Sequence, residues 1–147
     1  MKLYLDACCL ARLTDDQTQP RIRDEAEAVE RILRLVRLGE AEWISSVAVS
    51  EEIVRNPDTE RRHDVEQLLS FASSVIVLKP AIVARAIQLE RLGYDAFDAL
   101  HLSCAEHAGV DVLLTTDDRF LRRAKRGIEA PGIPVSNPLS WWSETFA

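Results

Sequence analysis

Val112-Leu113-Leu114-Thr115-Thr116-Asp117-Asp118 is an apolar run that ends in carboxylates, and three other stretches follow the same plan. Leu3-Tyr4-Leu5 runs into Asp6. Trp43-Ile44 and then Val47-Ala48-Val49 lead to Glu52. Asp98 opens the segment Asp98-Ala99-Leu100-His101-Leu102. A buried strand that ends in an acid puts that acid at the C-terminal edge of its sheet, where open α/β folds keep their ligand sites. Several carboxylates in one pocket repel each other unless a cation or a proton joins them. The pattern points to a divalent-metal site made of acids on a small α/β domain.

The rest of the chain supplies the alternation that such a domain needs. Residues 2–6 read as a buried strand and 14–20 as a loop. Val29, Ile32, Leu33 and Val36 follow the i, i+3, i+4, i+7 rule, so 22–38 reads as a helix that Gly39 stops. Strands are expected at 42–45, 74–78, 112–115 and 133–136. Helices are expected at 47–55, closed by Asn56-Pro57, at 58–72, at 80–92 with Pro80 in its tolerated first turn, at 96–108 and at 119–126. Asn137-Pro138 opens a tail that contains Trp141 and Trp142, whose expected place is against the core or a dimer partner. Strands alternating with helices predict a mainly parallel sheet covered on both faces.

The bulk numbers narrow the class. A chain of 147 residues with 47% apolar residues is the size of one domain, read here as 1–147. Charged residues make up 29%, and no apolar stretch approaches the ~20 residues that span a bilayer. The acid at position 6 cuts the N-terminus short of a signal peptide's apolar segment, so a cytoplasmic setting is expected. Cys8, Cys9 and Cys104 show no Cys-x-x-Cys spacing and read as small buried hydrophobes. A net charge of −6 argues against coating nucleic acid by positive charge alone, but leaves room for nucleic acid held by metal ions and a few arginines.

Among the candidate residues, Asp6 is either a site acid or a helix N-cap at the strand-to-helix turn. Asp95 is placed to cap the helix that begins at Ala96, with Asp98 as a capping-box-like partner; Asp98 is favoured for the site. Glu51 and Glu52 face about 100° apart on a helix, so one points inward; Glu52 is preferred and Glu51 is its rival. One of Asp117 and Asp118 caps the next helix, leaving the other for a metal. His101 reads as a satisfied, partly buried imidazole rather than a ligand. Arg119, Arg122, Arg123, Lys125 and Arg126 are either a solvated helix end, favoured by the macrodipole, or a phosphate-contacting patch. No nucleophile elbow, Ser-His-Asp order or glycine-rich phosphate loop is present.

Leu5-Asp6, Glu52-Ile53, Asp98-Ala99-Leu100-His101-Leu102 and Thr115-Thr116-Asp117-Asp118-Arg119-Phe120 together resemble a PIN domain. The last two segments are the most specific. The resemblance extends to the toxins of VapC-type toxin–antitoxin pairs and leaves out the tail from about Pro138. It implies a Rossmann-like three-layer α/β/α sandwich with a central, mainly parallel sheet. It implies a Mg²⁺- or Mn²⁺-dependent ribonuclease whose acids are Asp6, Glu52, Asp98 and Asp117, with Glu51, Asp95, Asp118 and Thr115 as alternates. It further implies a homodimer and, in the toxin branch, a cognate antitoxin. Hard oxygen ligands favour Mg²⁺ or Mn²⁺ over zinc, and such an ion activates water and steadies a leaving oxygen.

Two other acid-bearing α/β plans fail on spacing. A phosphoacceptor receiver needs an acidic pair directly after the first strand, and Asp15-Asp16 come too late. A haloacid-dehalogenase-like phosphatase needs Asp-x-Asp where this chain has Asp6-Ala7-Cys8. A non-catalytic RNA- or protein-binding module on the same fold is the remaining rival to the nuclease.

Overall fold

The computed structural model describes residues 1–127 and 131–146. Five parallel strands form one sheet in the order β3-β2-β1-β4-β5. They are β1 (Lys2–Leu5), β2 (Glu42–Ser46), β3 (Ser74–Ile76), β4 (Val112–Leu114) and β5 (Val135–Ser136). β1 lies at the centre, paired in register Tyr4↔Ile44 with β2 and Tyr4↔Leu113 with β4. A parallel sheet must be covered on both faces, and Leu3, Tyr4, Leu5, Trp43, Leu113 and Leu114 are accordingly all but sealed from solvent. The α/β/α architecture expected from the alternation of strands and helices is the one observed.

Eight α-helices are present among the described residues: α1 (Ala7–Ala11), α2 (Pro20–Arg37), α3 (Val47–Val54), α4 (Thr59–Leu68), which a 3-10 turn extends over Leu69–Phe71, α5 (Pro80–Arg91), α6 (Ala96–Ala108), α7 (Asp118–Arg126) and α8 (Pro138–Thr145). α6 packs most heavily on α5, and Ser103 Oγ donates to the Ile82 carbonyl across that contact at 2.6 Å. It ends where Gly109 adopts φ 66°, the left-handed conformation that a side chain would strain.

Two expectations need correction, and a stretch with no expectation, after Asp6, forms the five-residue helix α1, with Asp6 at its N-cap position but making no side-chain cap bond. The expected strand 74–78 keeps its pairing only to Ile76, and Val77 and Leu78 are exposed. The expected tail is helix α8, capped by Asn137, whose side chain accepts from the Leu139 amide at 2.8 Å. α8 packs on α2, with Trp141 and Trp142 partly buried against the core. No helix among the described residues is long and apolar enough to cross a membrane.

Candidate active site

The chain reverses direction along the sheet at β1. From β1 it moves to β2 and β3 on one side, then crosses to β4 and β5 on the other. The crevice above such a switch point is the ligand position in open parallel sheets. Asp6 leaves β1 at this point, and its amide donates to the Leu114 carbonyl of β4 at 3.0 Å. The residue is only 3% exposed. Thr115, just past β4, donates its hydroxyl to Asp6 Oδ2 at 2.8 Å and accepts the Asp117 amide at 3.1 Å. The ends of β1 and β4 are thereby tied together, with Asp6 aimed by Thr115.

α3 brings the second acid. Ser46 ends β2 and caps α3, its hydroxyl accepting from the Val49 amide at 3.3 Å. One and a half turns later Glu52 turns inward, with its side chain 34% exposed. Glu51 is exposed, as the 100° offset between neighbours requires.

α6 brings two more groups. Asp95 occupies the N-cap position but makes no side-chain cap bond, so the expected capping box with Asp98 does not form. Its side chain is mostly exposed and lies 3.9 Å from Arg119 Nη2. Asp98 is nearly buried and faces the other acids. Burial, with Asp6 and Asp117 adding repulsion and His101 partly offsetting it, pushes its carboxyl up to about 7. His101, one turn after Asp98, is fully buried. Its Nε2 lies 2.9 Å from Glu52 Oε1 and 3.3 Å from Asp6 Oδ1. Burial would lower its pKa, but Asp6, Glu52 and Asp98 raise it on balance.

At the fourth position one acid caps a helix and the other pairs with an arginine. Asp117 is itself the cap of α7, with Oδ1 accepting from the amides of Arg119 at 2.9 Å and Phe120 at 3.4 Å. It still acts electrostatically on Asp98. Asp118 is not left for a metal. Arg21 grips it in a two-pronged pair at 2.8 and 2.9 Å and holds its carboxyl below the ordinary range.

Ligand atoms of Asp6, Glu52 and His101 all lie within 4.8 Å of one another. Two carboxylate oxygens at that spacing, with a third carboxyl beside them that burial and neighbouring acids keep from ionising, fit a divalent cation, and His101 Nε2 lies between the two acids. Sequence reasoning placed His101 apart from the acids. The available signal was its position three residues after Asp98, which puts both on one helix face.

Of the basic run on α7, Arg119 and Arg123 line a small polar cleft with Asp95 and Asp98, while Arg122 does not line it. Arg123 lies against Gly93, where a Cβ would come within 2.8 Å of its Cζ. A second, more apolar groove of about 210 Å³ opens on the other side of Glu52, lined by Ala7, Cys8, Ala11, Ile53 and Val65 among others.

The description of the PIN domain matches residues 3–126, which contain every acid described above and stop before α8. No curated protein matches the sequence. Among solved structures, the chain is similar to one in the crystal structure of VapBC2 from Rickettsia felis bound to a DNA fragment from its promoter. The TM-score is 0.62 at 15% identity, over 93% of this chain and 98% of that one. It is also similar to a chain of VapBC-1 from nontypeable Haemophilus influenzae, with TM-score 0.61 at 16% identity over 94% and 98%. At these identities the likeness is one of fold.

Proposed function

The chain belongs to the PIN domain family, and from that premise we propose that it is a metal-dependent endoribonuclease, the toxin of a toxin–antitoxin pair. The observation that carries the reading is the meeting of Asp6, Glu52 and His101 around one point, with Asp98 held near neutrality beside them. Asp6, Glu52, Asp98 and Asp117 are the acids assigned to the site, and Asp6 and Glu52 its central ligands. A Mg²⁺ or Mn²⁺ ion bound there supplies Lewis acidity toward a phosphodiester oxygen and an attacking water. Thr115 keeps Asp6 oriented. Asp98, a nearly buried carboxyl beside Asp6, is assigned to taking the proton from the attacking water. Arg119 and Arg123, on the cleft beside Asp98, are assigned to RNA phosphates, and Arg122 to a more distant contact.

Partners follow from the same reading. The VapBC structures support a cognate antitoxin, for which the apolar groove beside Glu52 offers a seat. Exposed Val75 and Val77 at the edge of the sheet, and Val83 and Ile87 on α5, offer surface for a second copy of the chain. Three free cysteines suit a reducing cytoplasm, where the RNA would be met.

The deciding experiment measures RNA cleavage with Mg²⁺ or Mn²⁺, with and without chelator, for the wild-type protein and for Asp98→Asn. Cleavage that chelator stops and that the folded variant lacks is the expected result. Cleavage unchanged in the folded variant overturns the assignment. RNA binding without any cleavage turns it into a binding module.

A further inference from the structure

We infer that His101 is a positioning residue: its imidazole, braced from behind by Tyr4 and Ser46, holds Asp6 and Glu52 at the separation at which both can bind one cation. The inference rests on the metal-site reading above and adds a residue that the acid motif does not contain.

Both ring nitrogens are engaged. Nδ1 lies 2.8 Å from the Tyr4 hydroxyl, and that hydroxyl lies 2.6 Å from Ser46 Oγ. Nε2 approaches Glu52 Oε1 at 2.9 Å and Asp6 Oδ1 at 3.3 Å. An atom between two carboxylate oxygens must carry the proton, so Nε2 donates and Nδ1 accepts from Tyr4. Ser46 then donates to Tyr4 while accepting the Val49 amide. Every partner in the chain Ser46–Tyr4–His101 is satisfied by one assignment.

The placement of these residues gives the ring its leverage. Tyr4 belongs to the central strand β1, Ser46 is the cap of α3, and His101 is on α6. These are the elements that deliver Asp6, Glu52 and Asp98. A ring bonded to all three sets their relative position directly. A histidine serving only to fill space needs neither polar atom; here the ring is wholly buried, stacked beside Phe97 with centroids 6.2 Å apart, and both nitrogens still meet partners. Two acids brought to a single nitrogen are necessarily close to each other, as ligands of one ion must be.

The test reads metal binding on the free protein, without RNA. Mn²⁺ affinity is measured by the electron paramagnetic resonance signal of unbound Mn²⁺ for wild type, His101→Phe, His101→Gln and Tyr4→Phe, with thermal melting to confirm folding. His101→Phe keeps the ring and removes both nitrogens; it is expected to weaken Mn²⁺ binding by about 10–100-fold, the usual cost of losing a group that orients a ligand. His101→Gln, which returns an N–H donor toward the acids, is expected to recover most of that loss. Tyr4→Phe, which frees the ring from behind, is expected to fall between them. Folded His101→Phe with wild-type affinity overturns the inference, as does His101→Gln no better than His101→Phe. Should His101→Phe fail to fold, Tyr4→Phe decides: weakened binding supports the inference and unchanged binding overturns it. A wild-type protein that bound no Mn²⁺ would overturn the metal-site reading as well, whereas unchanged binding in the variants overturns this inference alone.

Discussion

Asp6 and Glu25 are both carboxylates sealed inside the protein, at 3% and 2% exposure, and they keep opposite company. Glu25 is matched by cations. Its Oε1 accepts from Arg12 Nε at 2.9 Å and lies 3.4 Å from Arg21 Nε, while Oε2 accepts from Asn137 at 2.6 Å. Arg12 also holds Asp15, which Arg61 grips from α4. The result is a brace joining the end of α1, the start of α2, α4 and the cap of α8. Asp6 has a threonine hydroxyl and an imidazole that it shares with Glu52, and its negative charge is felt by Asp98. An acid neutralised by guanidinium groups is a structural tie. An acid crowded by other acids leaves a charge deficit for a cation to fill.

The sharpest way to break this contrast is to exchange readouts between the two regions. Asp6→Asn should lower metal-dependent RNA cleavage by about 10²-fold or more, the scale of losing one preorganised electrostatic partner, with the melting temperature kept. Glu25→Gln should leave the turnover of the folded protein within a factor of about three. A cleavage assay paired with melting curves reads both, and loss of turnover in folded Glu25→Gln would merge the two regions into one.

Stability should move the other way. Glu25→Ala removes the carboxylate that Arg12, Arg21 and Asn137 share and should cost about 2 kcal/mol in urea unfolding, below the range for fully buried pairs because both arginines reach solvent and keep Asp15 and Asp118. Asp98→Asn should instead stabilise the metal-free protein. Its folded carboxyl titrates at about 7 against an ordinary value of 3.8, so the folded state binds the extra proton between those limits. Wild-type stability therefore falls as pH rises from about 4 to 7, and the loss is complete above 7. The asparagine variant should match wild type near pH 4 and exceed it by about 1–2 kcal/mol at pH 8, less than the full shift implies because the group keeps some solvent contact. Millimolar Mg²⁺ should erase that advantage, since it stabilises wild type by binding the native state. Urea titrations at the two pH values, with and without Mg²⁺, check each sign.

The smallest effect separates the acidic doublet. Asp118→Ala removes a surface pair with Arg21, worth no more than about 0.5 kcal/mol, and should leave cleavage unchanged. Asp117→Ala should reduce cleavage and loosen the start of α7, at a cost of about 1 kcal/mol for the lost cap. Equal cleavage by the two variants would remove Asp117 from the site.

The sequence alone determined the order of strands and helices, the parallel sheet, and the acids that stand after β1 and β4. Those signals are local: short apolar runs such as Leu3-Tyr4-Leu5 and Val112-Leu113-Leu114, a 3.6-residue period, a Gly or Pro at a boundary. α1 was illegible because five residues do not repeat a 3.6-residue period, and α8 because Pro138-Leu139-Ser140-Trp141-Trp142 buries its apolar face only once α2 is there to receive it. Tertiary structure alone decided which member of each acidic doublet turns inward. Arg21, 97 positions away in sequence, takes Asp118 and leaves Asp117 at the helix cap. It also decided that Glu25 is neutralised by arginines while Asp6 lies among other acids, and that His101 bridges Asp6 and Glu52. A carboxylate's role depends on the sign of the charges within a few ångströms of it, and folding selects those neighbours from distant parts of the chain.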